Sequence, residues 1–160
     1  MNKALITVGM LLLVGFISFS VLGKNENLNN KNVLSGGETV ATIYKTPTCG
    51  CCGVYVSYMK KEGYEVEIEN VQNLSVIKQK LGVPLELESC HTTEVGGYVV
   101  EGHIPNEAIL RLLTLKPNIK GIGMAGMPSG SPGMPGPKTE DFVIYEITNE
   151  GIRGDIFMII

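Results

Sequence analysis

Between residues 39 and 160, the pattern of apolar and polar positions predicts strands and helices in turn. Residues 39–45 (TVATIYK) are β-branched and aromatic and stop at Thr46-Pro47-Thr48, so they predict a strand. Apolar residues then recur at helical spacing up to the glycine stop at Gly63, and the alternating run 65–70 predicts a second strand. The apolar positions with helical spacing are Val54, Tyr55, Tyr58, Met59 and Tyr64.

The next part of the chain predicts a helix, a hairpin and a further helix. A short helix with an Asn cap spans residues 73–81, two strand-like runs (88–95 and 98–104) flank Gly96-Gly97, and a third helix covers 106–115. This order of elements resembles the thioredoxin-like arrangement, whose cysteine loop also lies between the first strand and the following helix. We therefore expect an α/β fold with a thioredoxin-like mixed sheet and flanking helices.

The last part of the chain changes in composition. Residues 121–137 (GIGMAGMPSGSPGMPGP) are dominated by Gly and Pro, so they are predicted to form neither a regular helix nor a central strand. Residues 141–148 and 152–160 are strand-like around Asn149-Glu150-Gly151 and predict a closing C-terminal hairpin.

The N-terminal residues predict export. Residues 1–3 carry one positive charge, residues 4–22 are almost uninterruptedly apolar, and Gly23 follows, as in a secretory signal peptide. The alternative is an uncleaved membrane anchor, because Val21 and Gly23 make a poor cleavage site. Residues 24–38 are rich in Asn, Gly and Ser and predict a flexible linker. Residues 39–160 then form one domain, placed in the periplasm or otherwise outside the cytoplasm.

Charge and composition argue against nucleic acid as a partner. The formal net charge is −3, the chain has no Trp, and no Lys/Arg cluster or series of aromatic residues is visible. All four cysteines lie in the part predicted to be exported, where disulfides normally form. Their spacing nevertheless suggests a different chemistry.

Three of the cysteines, Cys49, Cys51 and Cys52, fall within four residues at the start of the first predicted helix. A helix N-terminus favours thiolate, and thiolates select Cu(I), zinc or iron–sulfur clusters. Structural disulfides are one alternative, although cysteines crowded into one turn cross-link little of the chain. A thiol–disulfide oxidoreductase using Cys49 and Cys52 is a second alternative, against which Cys51 speaks because it would invite a competing disulfide. A Cys₃His zinc site is the third.

The fourth cysteine is predicted to lie beside a histidine. If Gly96-Gly97 is a two-residue turn, Val95 faces Tyr98, and counting outward places Cys90 across from His103. His103 is thus a candidate ligand. His91 is a second candidate, but strand alternation predicts that it points to the other face unless a bulge intervenes. With Cys90 near the cysteine loop, one soft-metal site is expected.

The Gly/Pro-rich segment supplies soft thioether ligands in addition. Met124, Met127 and Met134 are candidates for copper, because thioethers remain available when thiols are oxidised. The alternative interpretation is that these methionines cover apolar surface.

The motifs YKTPTCGCCG, GVP, SCHT, VGGYVVEGH and GMPSGSPGM, in this order from about residue 43 to 134, resemble the family of the periplasmic copper-resistance protein CopG. The resemblance implies a thioredoxin-like, copper-binding domain with a multinuclear Cu(I) thiolate site, and interconversion of Cu(I) and Cu(II) as a second activity to be tested. It implies Cys49, Cys51, Cys52 and Cys90 as sulfur ligands, with His103 and His91 nearby. The expected partners are copper ions and other copper-resistance proteins.

Overall fold

The computed structural model describes residues 39–160; the predicted signal or anchor (1–23) and linker (24–38) lie outside the described residues. Within residues 39–160, no helix is both long and apolar enough to cross a membrane. The strands and helices are β1 (Val40–Lys45), α1 (Gly50–Lys61), β2 (Glu65–Asn70), α2 (Leu74–Leu81), a 3₁₀ turn (Leu85–Leu87), β3 (His91–Val95), β4 (Tyr98–Glu101), α3 (Asn106–Leu115), β5 (Gly121–Gly123), β6 (Val143–Ile147) and β7 (Arg153–Ile159).

The strands form one seven-stranded sheet in the order β2-β1-β3-β4-β5-β6-β7. β1 pairs with β2, and β4 with β5, in parallel, whereas the other neighbours are antiparallel. The α/β class with a mixed sheet is therefore confirmed, and β6 and β7 form the predicted closing hairpin. The finer thioredoxin-like assignment stays a prediction.

The larger core lies on the face of the sheet that carries α1 and α3. Ala41 and Ile43 of β1 are fully buried there together with Tyr55 and Met59 of α1 and Leu112 of α3. This burial follows from the period of two in the strands and of 3.6 in the helices. A smaller cluster lies apart from it and contains Val83, Leu87, Val99 and Ile147.

One prediction for the Gly/Pro-rich segment is wrong. Residues 121–123 form β5, a central strand between β4 and β6, with Ile122 fully buried. A side chain at Gly121 would overlap the Val99 carbonyl oxygen on the neighbouring strand. Glycine therefore allows a close approach of two backbones here, although glycine in a sequence usually argues against a central strand.

Candidate metal centre

The end of β1 and the start of α1 position the cysteine loop. Cys49 is the N-cap of α1, and its sulfur accepts a hydrogen bond from the Cys52 backbone N–H at 3.3 Å. Cys51 and Cys52 lie in the first turn, next to the unpaired N–H groups that favour negative charge. Cys52 is fully buried, whereas Cys49 and Cys51 are half-buried. The loop therefore presents its sulfurs at different depths.

The four cysteine sulfurs meet at one place. A disulfide joins Cys49 and Cys52, whereas Cys51 and Cys90 are free thiols. The Cys51 sulfur lies 3.5 Å from that of Cys49 and 3.5 Å from that of Cys90, and all four lie within 4.8 Å of one another. The prediction that Cys90 lies close to the loop is confirmed.

The hairpin places an imidazole beside Cys90, as the residue count predicts. Val95 pairs with Tyr98, and beyond the end of the ladder His103 Nε2 lies 2.9 Å from the Cys90 sulfur. His91 Nδ1 lies 3.4 Å from the same sulfur, and one ligand atom of each of these three residues falls within 4.8 Å of the others. Cys90 thus belongs to two groups of donor atoms: the four sulfurs, and a group with the two imidazoles.

The expectation that His91 points away from Cys90 is wrong, because the regular ladder ends earlier than predicted. β3 begins at His91 and β4 ends at Glu101, so Cys90 and His103 lie outside the alternation. Gly102 has a φ of 84°, and a side chain there would come within 2.7 Å of the Met124 carbonyl oxygen. The glycine turns the chain so that both imidazoles lie on the α1 side, with their ring centres 4.7 Å apart.

The surroundings of the two imidazoles keep them neutral and fix their orientation. His103 Nδ1 lies 2.7 Å from the Pro132 carbonyl oxygen and donates its N–H there, so that the Nε2 lone pair faces Cys90. Burial lowers the pKa of His103; burial, followed by the charges of His103 and Lys78, lowers that of His91. Neutral imidazole is the form that binds metal ions.

Tyr55 of α1 packs against both imidazoles. The fully buried Tyr55 ring lies 4.3 Å from the His91 ring and 5.7 Å from the His103 ring, measured between centres. Its hydroxyl donates to the Ile104 carbonyl oxygen at 3.1 Å. The two imidazoles therefore lie between the Tyr55 ring and the Cys90 sulfur.

The fourth thiol differs from those on the helix. Burial raises the pKa of Cys90 to about 12, with further contributions from the hydrogen bond and the charge of Cys51. A thiol with this pKa is protonated at neutral pH, so a metal ion that binds it displaces a proton.

The Gly/Pro-rich segment contributes its backbone to the site. A side chain at Gly133, where φ is 86°, would come within 3.0 Å of the Cys51 carbonyl oxygen and of the Tyr55 amide nitrogen. The three methionines lie in different surroundings. Met124 packs in the larger core, which matches the alternative interpretation, Met127 is 52% exposed and Met134 is half-buried. Thioether ligation by these methionines stays a prediction.

Sequence reasoning missed a buried carboxylate network on the other side of Cys90. The Glu101 carboxylate pairs with Lys78 and accepts hydrogen bonds at 2.6 Å from the Thr92 hydroxyl and from the Ser89 backbone N–H. Burial raises the pKa of Glu101, against the lowering effects of Lys78, Thr92 and Ser89. The sequence contained one sign of this network: Glu101 follows three uncharged residues in β4 (YVVE). Lys78 lies in a half-exposed helix, and nothing in the sequence marks it as buried.

The fold and the site define a small α/β protein with clustered thiol and imidazole groups that could hold a metal ion. A family model described as "Protein of unknown function, DUF411" matches residues 87–134. Two solved structures of copper resistance protein CopG, forms 2 and 1, are each 30% identical to this chain, with TM-scores of 0.70 and 0.69. Each alignment covers 76% of this chain, and it covers 98% and 96% of the respective CopG chains. The chain belongs to the family of copper resistance protein CopG. No curated protein matches the sequence.

Proposed function

We propose that this protein binds Cu(I) outside the cytoplasm through Cys49, Cys51, Cys52 and Cys90 and serves copper resistance. The observation that supports this most strongly is that four cysteine sulfurs lie within 4.8 Å of one another. Thiolates are soft ligands that favour Cu(I), zinc and iron–sulfur clusters over harder metal ions. The similarity to copper resistance protein CopG supports the same metal.

The number and kind of donor atoms favour copper over a structural zinc ion. Besides the sulfurs, the imidazoles of His91 and His103 share the site through Cys90. A structural zinc ion takes four ligands in a closed tetrahedron, so two of these donors would be left over. Several Cu(I) ions that share the cysteine sulfurs would use all of these donors, the four sulfurs and the two imidazoles.

Binding through all four sulfurs requires reduction of the Cys49–Cys52 disulfide. An external dithiol supplies two electrons and two protons, becomes a disulfide itself, and leaves two thiols on this chain. Each thiol that then becomes a ligand releases a proton, which for Cys90 is a proton held with a pKa of about 12. Copper affinity is therefore expected to rise with pH.

Anaerobic Cu(I) titration of the reduced domain, followed by metal analysis, tests the proposal. We expect saturable binding that competes with a chromogenic Cu(I) chelator and is abolished when all four cysteines are replaced by Ser. Absence of Cu(I) binding by the fully reduced protein would refute the proposed function.

The imidazoles support a second part of the proposal, namely that the site also holds Cu(II) and allows interconversion of the two oxidation states. Imidazole binds both forms of copper, and His103 Nε2 is directed at Cys90. His103→Ala is expected to keep most Cu(I) binding and to lose Cu(II) binding, measured by titration and by the Cu(II) electron paramagnetic resonance signal. Unchanged Cu(II) binding would remove the support for redox activity.

One observation favours a different function, a thiol–disulfide oxidoreductase. Cys49 and Cys52 form a disulfide at a helix N-terminus, and Cys49 is the more accessible of the two, as an attacking thiol must be. In such an enzyme, the Cys49 thiolate attacks a substrate disulfide, and Cys52 then resolves the mixed disulfide and releases the reduced substrate. Cys51→Ser separates the two functions: copper binding should weaken by about 100-fold, as expected for one of four metal ligands, whereas an exchange enzyme should keep its activity.

The location and the finer fold assignment belong to the same proposal. An extracytoplasmic site suits the predicted signal or anchor at residues 1–23, and the position of the cysteine loop between β1 and α1 supports a thioredoxin-like fold. Cell fractionation together with the mass of the mature chain tests the location and distinguishes a cleaved signal from an anchor.

A further inference from the structure

The buried carboxylate network is attached to the segment that carries Cys90. The Glu101 side chain is fully buried, and one of its oxygens accepts the Ser89 backbone N–H at 2.6 Å. The other oxygen accepts the Thr92 hydroxyl at 2.6 Å, and the 2%-exposed Lys78 provides the opposite charge. One carboxylate thus contacts the chain on both sides of Cys90.

Cys90 lies outside any helix or strand, whereas the other three cysteines lie at the start of α1. Cys49, Cys51 and Cys52 are held by the first turn of α1, whereas Cys90 precedes β3 and belongs to no strand. Its neighbour Ser89 is fixed at the backbone by Glu101 and at the hydroxyl by the Gly126 carbonyl oxygen.

Stability alone is a poor explanation of the ion pair. Replacement of a buried ion pair by apolar residues of similar size is often neutral or stabilising, so such a pair is weak evidence of a stabilising role. The hydrogen bond to Ser89 shows what this pair does in addition: it fixes a backbone group that no strand partner holds. Groups that orient metal ligands through hydrogen bonds change metal affinity by about 10- to 100-fold in other proteins.

We propose that Glu101 is a positioning residue for Cys90: by accepting the Ser89 backbone N–H, it holds the Cys90 sulfur within reach of Cys51 and His103, with Lys78 as its counter-ion. The distances that must be kept are 3.5 Å from sulfur to sulfur and 2.9 Å from sulfur to His103 Nε2. As a contribution to copper binding, this inference rests on the proposed function.

Two double variants isolate the hydrogen bond from the charges. Lys78→Met/Glu101→Gln removes both charges and keeps an amide oxygen that can accept the Ser89 N–H, whereas Lys78→Met/Glu101→Leu removes the charges and the acceptor. We expect the Gln variant to bind Cu(I) within about twofold of the parent and the Leu variant to bind about tenfold more weakly, by chelator competition on folded protein. Equal affinity of the two folded double variants would overturn the proposal.

A Cys90→Ser background tests whether Glu101 acts through Cys90. There the difference between the Gln and Leu variants should vanish, because the ligand that Glu101 positions is gone. A difference that persists in this background would show that Glu101 acts elsewhere. Thr92→Val is the matched control, since it removes a hydrogen bond to the same carboxylate without touching Ser89; it should weaken Cu(I) binding by less than the Leu variant does.

A metal-free measurement separates this inference from the proposed function. In the Cys51→Ser variant with the Cys49–Cys52 disulfide intact, Cys90 is the one free cysteine, and its reaction rate with an aromatic disulfide reagent reports how firmly it is held. The Glu101→Leu double variant should react several-fold faster than the Glu101→Gln one. Equal rates would refute the positioning role, whereas unequal rates without Cu(I) binding would refute only the proposed function.

If the Leu variant does not fold, Glu101→Asp gives the same test. The shorter side chain keeps the charge opposite Lys78 but withdraws its oxygens from the Ser89 N–H. We expect a similar loss of Cu(I) affinity and a similarly faster reaction of Cys90. A folded Glu101→Asp protein with parental values for both would contradict the proposal.

Discussion

The two faces of the sheet next to Cys90 are built in opposite ways. On the α2 face, Lys78, Thr92 and Glu101 are buried and satisfy one another with hydrogen bonds. On the α1 face, His91 Nε2 and Thr93 Oγ1 are equally buried, yet neither forms a hydrogen bond within residues 39–160. Thr92 and Thr93 are neighbours in β3, so alternation of the strand alone separates the two environments.

The two faces of the sheet have different roles. Buried polar groups are normally hydrogen-bonded, so a satisfied network stabilises the structure, whereas the unpaired ring nitrogen of an imidazole that contacts Cys90 and packs against His103 is available for a ligand. The proposed copper site lies where polar groups are left without partners, and the proposed positioning network lies where they are complete.

Removing one charge from the satisfied network should have the largest effect. Lys78→Met leaves the Glu101 carboxylate buried without its counter-charge, and we expect a loss of about 3–5 kcal/mol in the free energy of unfolding. Urea denaturation of the metal-free protein measures it. Lys78→Met/Glu101→Gln should recover most of the loss. A single variant as stable as the parent would show that the two side chains do not form a buried ion pair.

Substitution of Gly102, which turns the chain after β4, should cause the next largest loss in the free energy of unfolding. Gly102→Ala places a methyl group against the Met124 carbonyl oxygen and Ser89 at a φ of 84°, so we expect a loss of about 2–4 kcal/mol. Gly97 is the matched control: its φ is 85°, but a side chain there meets nothing within 4 Å. Gly97→Ala should therefore cost only the backbone strain, about 1–2 kcal/mol. Equal losses would mean that the close contact around Gly102 has no energetic weight.

A pair of neighbouring threonines compares the two faces directly. Thr92→Val removes a hydrogen bond to a buried carboxylate and should cost about 1–3 kcal/mol. Thr93→Val removes a hydroxyl that has no partner among the described residues, so it should be neutral or slightly stabilising. If both substitutions destabilise equally in urea denaturation, Thr93 has a partner in solution and the contrast between the faces is weaker than described.

The parts of this site that the sequence predicts are local. The spacing of apolar residues gives the bounds of β2 and α3 as the structure has them, and a two-residue turn at Gly96-Gly97 brings Cys90 opposite His103. Both results follow from a fixed period or a short residue count, which one sequence contains in full.

The parts that the sequence does not predict depend on contacts between distant segments. Gly121 fits in a central strand because only a residue without a side chain can lie this close to the Val99 backbone, and His103 joins His91 on the α1 side because Gly102 ends the ladder early. The pairing of Lys78 with Glu101 joins a helix to a strand 23 residues away. Lys78 could equally be an exposed charge, and Glu101 is marked only by the three uncharged residues before it in β4.

The smallest predicted effect concerns pH and the histidines of the α1 face. Burial lowers the pKa of His91 in the folded chain, so the folded state binds fewer protons there than the unfolded state, whose histidine has its ordinary pKa of about 6.5. The contribution of His91 to stability is therefore present above about pH 6.5 and is lost as the pH falls below it. Between pH 7 and pH 6 the metal-free protein should lose about 0.7 kcal/mol through this residue.

His91→Phe isolates this contribution, because the charged and titratable groups around His91 (Tyr55, Cys90, His103 and Lys78) remain in the variant. The difference in unfolding free energy between parent and variant, measured by urea denaturation at pH 7 and pH 6, should change by about 0.7 kcal/mol in favour of the variant at the lower pH. If the difference in unfolding free energy does not change with pH, His91 titrates normally in the folded protein. Its Nε2 is then hydrated and not held without a partner.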